Sequence, residues 1–311
     1  MEFTTILSSV AVMGIMIGIG MLLRKRLDFN ADSQAMLISI IVNVAMPCII
    51  IASIFQFPMD SHVFHLVFLT FMFSVLINIA GIGIGWLVAR LMKYPNQKAK
   101  EMAIVSGLGN TGFIGIPLCA ILFGPKGALL AAVFDAGLDF TLWSVGVLLL
   151  QKEAAFSFRS LKAMINIPMI AIIVGLTLGY FQFQPPTFIV SLTANLASIA
   201  SPLAMMYIGL LVPTLWGKVG SISKLQLGIP IILKLLLFPT VTILILSLIS
   251  LDMGITQVAL VQSTMPTITI ASIVFTKYRA DGDMAAAATI FSTLLALCTI
   301  PVMVYVGGLF I

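Results

Sequence analysis

Ten apolar runs, each close to the length that crosses a bilayer, follow one another with short connections: residues 4–23, 34–54, 64–92, 101–123, 127–150, 161–181, 187–212, 225–250, 255–276 and 284–308. About 20 apolar residues in a helix span the hydrocarbon core. Lipid offers no hydrogen-bond partner, so only helices or closed barrels can cross it, and runs this long and this uniformly apolar read as helices. The expected fold is therefore an all-α integral membrane protein with ten transmembrane helices. Composition agrees. Of 311 residues, 60% are hydrophobic and 9% charged, against about 25% charged in a soluble domain. A cytosolic enzyme, a disordered tail protein and a disulfide scaffold are excluded.

The placement of charge supplies an independent check on the number of spans. Alternate connections hold Arg24, Lys25 and Arg26; Arg90, Lys93, Lys98 and Lys100; Lys152, Arg159 and Lys162; Lys218 and Lys224; and Lys277 and Arg279. The opposite connections hold Lys126 alone, and Lys234 lies within a run. Cytoplasmic loops carry the excess of Lys and Arg, so this alternation puts both termini outside the plasma (inner) membrane. Small groups of basic residues between apolar runs form no basic face, so the net charge of +5 does not imply nucleic acid as a partner. The first run lacks a basic n-region and reads as a retained helix. Cys48, Cys119 and Cys298 are far apart and read as small core residues, and His62 and His65 read as interface residues with no third metal ligand near.

Two segments recur at an offset near 155. IVNVAMPCII in span 2 matches LASIASPLAM in span 7, placing Pro47 against Pro202, and the polar run of span 4 matches that of span 9. Each half then holds five spans, residues 1–152 and 160–311, and an odd number forces the second half to enter the membrane inverted. Inverted repeats are the architecture of many secondary transporters.

Span 4 contains Gly107-Leu108-Gly109-Asn110-Thr111-Gly112-Phe113-Ile114-Gly115-Ile116-Pro117. A glycine costs a helix interior about 1 kcal/mol relative to alanine and a proline about 3, so this run should unwind. Span 9 carries Gln262-Ser263-Thr264-Met265-Pro266-Thr267 in the matching place. Unwound backbone inside a membrane is tolerated where it lines a cavity, and paired interruptions mark a transport site. Half-helix N-termini suit an anionic group. The candidate substrate residues are Asn110, Thr111, Gly112, Pro117, Gln262, Ser263, Pro266 and Thr267. Gly14, Gly18, Gly81 and Gly85, spaced four apart, read as helix-packing positions.

The segment GNTGFIGIPL, Gly109 to Leu118, resembles the span-4 signature of the auxin efflux carrier family, which includes plant PIN-type carriers and bacterial permeases for dicarboxylates such as malate or malonate. The resemblance extends over the whole chain. It implies the fold shared with bile-acid–sodium symporters, in which a scaffold domain holds a transport domain whose broken helices 4 and 9 cross at midmembrane, and it implies a homodimer through the scaffold. By motif, Asn110 and Pro117 match the Asn and the crossing Pro of span 4, and Pro266 takes the span-9 crossing. The short connection between the halves is similar to the compact prokaryotic branch.

Ionisable residues inside spans usually face a cavity or a partner. Asp135 and Asp139, one turn apart in span 5, are candidates for coupling to H+ or Na+. Lys234 in span 8 is a candidate counter-ion to them or to a substrate carboxylate, and Asn43 ahead of Pro47 a further cavity group. No cofactor is expected. The function expected is secondary active transport of a small organic anion by alternating access. A channel or ligand sensor on the same scaffold is the alternative. An intramembrane hydrolase would need a nucleophile with its base, or catalytic carboxylates in register, and the sequence offers only the same-helix Asp pair.

Overall fold

Backbone that cannot bond to lipid must bond to itself, and the described residues do so mainly as helix. A computed structural model describes residues 3–56, 59–151, 165–216 and 223–311; among them no strand forms, and one isolated antiparallel bridge joins Gly109 to Thr267. Among the described residues, seven helical stretches are long and apolar enough to cross a membrane. They are α1 (Phe3–Leu23), α2 (Ala31–Ile54), α3 (Ser61–Leu91), α5 (Thr111–Leu150), the nearly continuous pair α7 (Thr187–Ser198) and α8 (Ala200–Trp216), α9 (Lys224–Leu248) and α12 (Gly282–Gly307). Shorter helices are α4 (Asn96–Gly107), α6 (Ile167–Tyr180), α10 (Met253–Ser263) and α11 (Ala271–Lys277). The protein is a multi-pass membrane protein. Of the basic residues on which the expected orientation rests, Lys152, Arg159, Lys162 and Lys218 lie outside the described residues.

Short polar side chains start the helices. Asn30, Asp60, Asn166, Asp252 and Asp281 each accept a hydrogen bond from a first-turn N–H, at 2.8–2.9 Å. Helix α5 is not straight: Gly124 has φ 66° and ψ −154°, and with Pro125 after it the chain turns there, leaving a first arm, 111–123, and a second arm, 125–150. Three helices carry a wide π-turn immediately before a proline. The turns are Ile41–Ala45, Thr111–Gly115 and Leu233–Leu237, ahead of Pro47, Pro117 and Pro239. In each, the residue before the proline donates to the carbonyl five back: Met46 to Ile41, Ile116 to Thr111, Phe238 to Leu233. Proline lacks the N–H for the ordinary bond and its ring crowds the carbonyl four back, so one extra residue enters the turn.

Helix α1 packs on α8, and α2 on α6 and α7. Helix α3 packs on α4 and α5, α10 on α5 and α9, and α12 on α9 and α11. The two groups meet mainly where α2 runs along α5 and α1 along α12. Helices α1 and α8 approach closely, for a Cβ on Gly20 would strike the Met206 carbonyl and one on Gly209 the Ile17 carbonyl. Gly81 and Gly85 pack as expected, against Phe238 with Gly107 and against Ser106 with Ala103. Gly18 does not: a Cβ there would meet nothing within 4 Å. Cys119 is buried, but Cys298 lies on an exposed face and is no core residue.

Beyond the apolar spans, Lys98 at the start of α4 pairs with Asp281 at the start of α12 and with Glu101, at 3.3 Å. Partial burial pushes the Asp281 carboxyl up, but the hydrogen bond from Lys98, the Met284 N–H and the charge of Lys98 outweigh it, so its pKa falls below the ordinary carboxylate value. A depressed folded pKa stabilises above the unfolded value of about 3.9 and loses that contribution as pH falls through the folded one. The melting temperature of the detergent-solubilised protein should therefore drop between about pH 5 and about pH 3. Asp281→Asn should flatten that part of the profile.

Candidate functional site

The helix of span 4 stops at Gly107, and Leu108 turns extended at φ −103° and ψ 130°. The chain re-enters helix at Thr111, with Asn110 as the cap: its Oδ1 accepts from the Phe113 N–H at 3.3 Å. In span 9 the helix stops at Ser263 and resumes at Ala271. The two breaks lie against each other and satisfy one another's freed backbone. Asn110 N–H donates to the Pro266 carbonyl at 2.6 Å, and Ile268 N–H to the Leu108 carbonyl at 3.2 Å. Side chains take others: the Thr267 hydroxyl donates to the Val105 carbonyl at 2.8 Å, the Thr267 N–H to Ser292 Oγ at 3.0 Å, and the Thr289 hydroxyl to the Ile268 carbonyl at 3.1 Å. Buried peptide groups need such partners.

Beside this crossing lies a cavity of about 150 Å³, well above the ~10–15 Å³ that one water needs. The first break and the following turn line it with Gly109, Asn110, Thr111 and Gly112, the second break with Ile268, Thr269 and Ile270. Asp135 and Asp139 face it from the second arm of α5, Val42 and Met46 from α2, and Asn166 from the start of α6. Asn110 Nδ2 donates to Thr269 Oγ1 at 2.7 Å, bridging the two breaks. The Thr111 hydroxyl donates to Asp135 Oδ1 at 2.5 Å, and a Cβ on Gly112 would stand 3.0 Å from Asp135 Oδ2. The Asp135 carboxylate thus occupies the positive end of the half-helix that starts at Thr111. A second, larger cavity of about 690 Å³ shares Val42, Phe113, Thr269 and Ile270 with the first and opens toward Lys277 and Asp283.

Five of the residues singled out from the sequence meet here: Asn110, Thr111, Gly112, Asp135 and Asp139. The others stand elsewhere. Pro117 is seven residues past the bridge, where it widens a turn and borders a separate crevice with Ala120 and Gly124. Pro266 and Thr267 belong to the backbone ladder of the crossing itself. Gln262 is buried behind the half-helix, its Nε2 donating to the Ala131 and Thr111 carbonyls at 3.2 and 3.4 Å. Ser263 turns its hydroxyl back onto the Leu260 carbonyl at 2.7 Å. Asn43 is exposed and donates to Ser39 Oγ at 3.0 Å, because Val42 and Met46, one turn apart, occupy the inward face of α2.

Lys234 is 1% exposed but pairs with neither aspartate; its ammonium donates to the Ser263 carbonyl at 3.3 Å and lies 4.0 Å from the centre of the Phe238 ring. It sits where α10 ends, beside Gly109, and offsets the negative C-terminal end of that half-helix. Among the described residues, no Lys, Arg or His lines the smaller cavity.

The family described as Membrane transport protein matches residues 5–159 and 155–304, nearly the full chain. The chain belongs to this family. It is the relationship that GNTGFIGIPL indicated. Among relatives of this membrane transport protein, an uncharacterized transporter of Methanocaldococcus jannaschii is 27% identical over 274 residues, covering 84% of this chain and 86% of the relative. One from Methanothermobacter thermautotrophicus is 24% identical over 289 residues, covering 92% and 93%. A Rhizobium meliloti protein named "Putative malonate transporter" is 23% identical over 302 residues, covering 93% and 92%.

Two polar residues of the transport protein's cavity, Thr269 and Asn166, carried a weak sequence signal. Thr269 follows Pro266-Thr267 in the same hydroxyl-rich run. Asn166 stands two before Pro168 and reads as a helix cap, but its reach to Asp139 depends on how α6 packs.

Proposed function

We propose that this protein is a secondary active transporter that moves a small organic anion, a mono- or dicarboxylate, across the inner membrane by alternating access. The observation that carries the reading is the meeting of two helix breaks beside a cavity. The chain crosses the membrane ten times in two inverted five-helix repeats, with both termini outside. Within that count the two arms of α5 are separate crossings, the first of them continuing α4; α10 with α11 makes the ninth, and α6 the sixth. Helices α1, α2 and α6–α8 form the scaffold, through which two copies pair. Helices α3–α5 and α9–α12 form the body that moves and brings the crossed breaks from one side to the other.

The substrate sits at the crossing, against the Asn110–Thr269 bridge. The relative named for malonate supports a dicarboxylate. Two carboxylates and no basic residue on the cavity wall oppose an anion unless a positive charge enters with it. Asp135 and Asp139 therefore bind the coupling H+ or Na+. Uptake of labelled mono- and dicarboxylates into liposomes, with imposed proton or sodium gradients, tests the reading. Saturable uptake with counterflow supports a carrier, and an ohmic current under voltage clamp would overturn it in favour of a channel. Asp135→Asn should change the pH or sodium dependence of uptake; an unchanged profile removes Asp135 from coupling.

A further inference from the structure

Asp135 and Asp139 lie one turn apart, yet their partners belong to different groups of helices. Asp135 is held by Thr111, from the first arm of its own helix. Asp139 Oδ2 accepts from Asn166 Nδ2 at 2.9 Å, and Asn166 heads α6, which packs on α2. The Asn166 side chain is used twice. Its Oδ1 accepts from Met169 N–H at 2.9 Å, capping α6, while its amide nitrogen reaches across to the neighbouring group. A bond to an ionised carboxylate is roughly twice as strong as one between neutral groups.

Among the described residues, Asp135 is the one charged group that shares the cavity wall with Asp139. Val42 and Met46 from α2, Thr111 from the first arm of α5 and Thr269 from the second break are uncharged, as are Ser74 and Asn78 of α3, which pack against the same arm. Tyr207, Lys277 and Asp283 stand in the adjoining vestibule, and Lys234 is behind the crossing.

We propose that Asn166 is a latch between scaffold and moving body: it holds Asp139 while that carboxylate is charged, and a proton or small cation captured by Asp139 releases the body to move. The inference rests on the transport reading above, and it assigns Asn166 a positioning role and makes Asp139, of the two carboxylates, the one that reports occupancy to the scaffold.

The test uses the full chain with Cys48→Ala, Cys119→Ala and Cys298→Ala, spin-labelled at Gln184→Cys on the scaffold and Met253→Cys on the moving body. In liposomes, the parent should shift between two label distances on acidification or on addition of Na+. A shift with pH in sodium-free buffer identifies the proton, and one seen only with Na+ identifies the cation. Asn166→Asp keeps an oxygen to cap α6 but has no N–H for Asp139. It should move the distance populations about tenfold toward the released form at neutral pH and lose the response. Asn166→Ser, which also caps, should do the same without adding a charge. If both variants keep the parent's populations and its response, the latch is overturned. If the parent itself takes up no carboxylate, the transport reading fails instead.

Discussion

Asn110→Ala is expected to lower carboxylate uptake by about 10²-fold or more while the protein still inserts and elutes as a folded species. The side chain is 2% exposed and does two things at once, capping the half-helix at Phe113 and bridging to Thr269 across the crossing. Its removal leaves the buried Phe113 N–H without its acceptor and the part-buried Thr269 hydroxyl without its donor; a buried group left so costs about 1–3 kcal/mol, and about 1.4 kcal/mol is a factor of ten. Asn110→Asp keeps the acceptor for Phe113 but, ionised, cannot donate to Thr269, so it should fall between wild type and alanine. Liposome uptake at matched protein loading measures both, and wild-type uptake by purified Asn110→Ala would remove the residue from the site.

The largest loss of stability is expected from Gly209→Leu. A Cβ at that position already collides with the Ile17 carbonyl, so a leucine must force α1 and α8 apart. Overpacking a tight contact costs about 1–3 kcal/mol and more where backbone is the obstacle. The variant should lose several degrees of melting temperature in detergent or fail to accumulate as folded protein. Gly18→Leu, on a helix face open for 4 Å, is the control and should melt like wild type. Equal damage from both would mean that α1 does not pack on α8 as described.

What the sequence made legible follows from the range of the forces involved. The apolar character of the helices depends on residues close in the chain, and so does the presence of a break in span 4; its extent does not, for the run from Gly107 to Pro117 was expected to unwind, whereas only Leu108–Asn110 leave helix and Thr111–Gly115 close again as a π-turn behind the Asn110 cap. The facing of each helix was harder to read. In α2 every side is apolar enough for lipid, so nothing local distinguishes Asn43 from Val42 and Met46 as the inward residue. In span 9 the polar run pointed to Gln262–Thr267, yet the cavity wall falls at Ile268–Ile270 because Pro266 and Thr267 are spent on the ladder between the breaks. Pro117 was read as a crossing residue, but a proline disturbs the turn before it, and the break itself had already occurred at Leu108–Asn110. The contact from Asn166 to Asp139 joins residues 27 apart on separate helices, which no local pattern encodes.

The π-turns ahead of Pro47, Pro117 and Pro239 have a mechanical consequence. A helix with an unbroken ladder transmits force as a stiff rod, whereas the carbonyl four residues before each of these prolines has lost its ordinary donor and the axis gains a compliant joint there. Two of the joints, in α2 and in the first arm of α5, border the cavity beside Val42 and Phe113. Pressure from a bound molecule on that wall can be taken up as rotation about a knuckle, so the spans can tilt without any of them having to unravel.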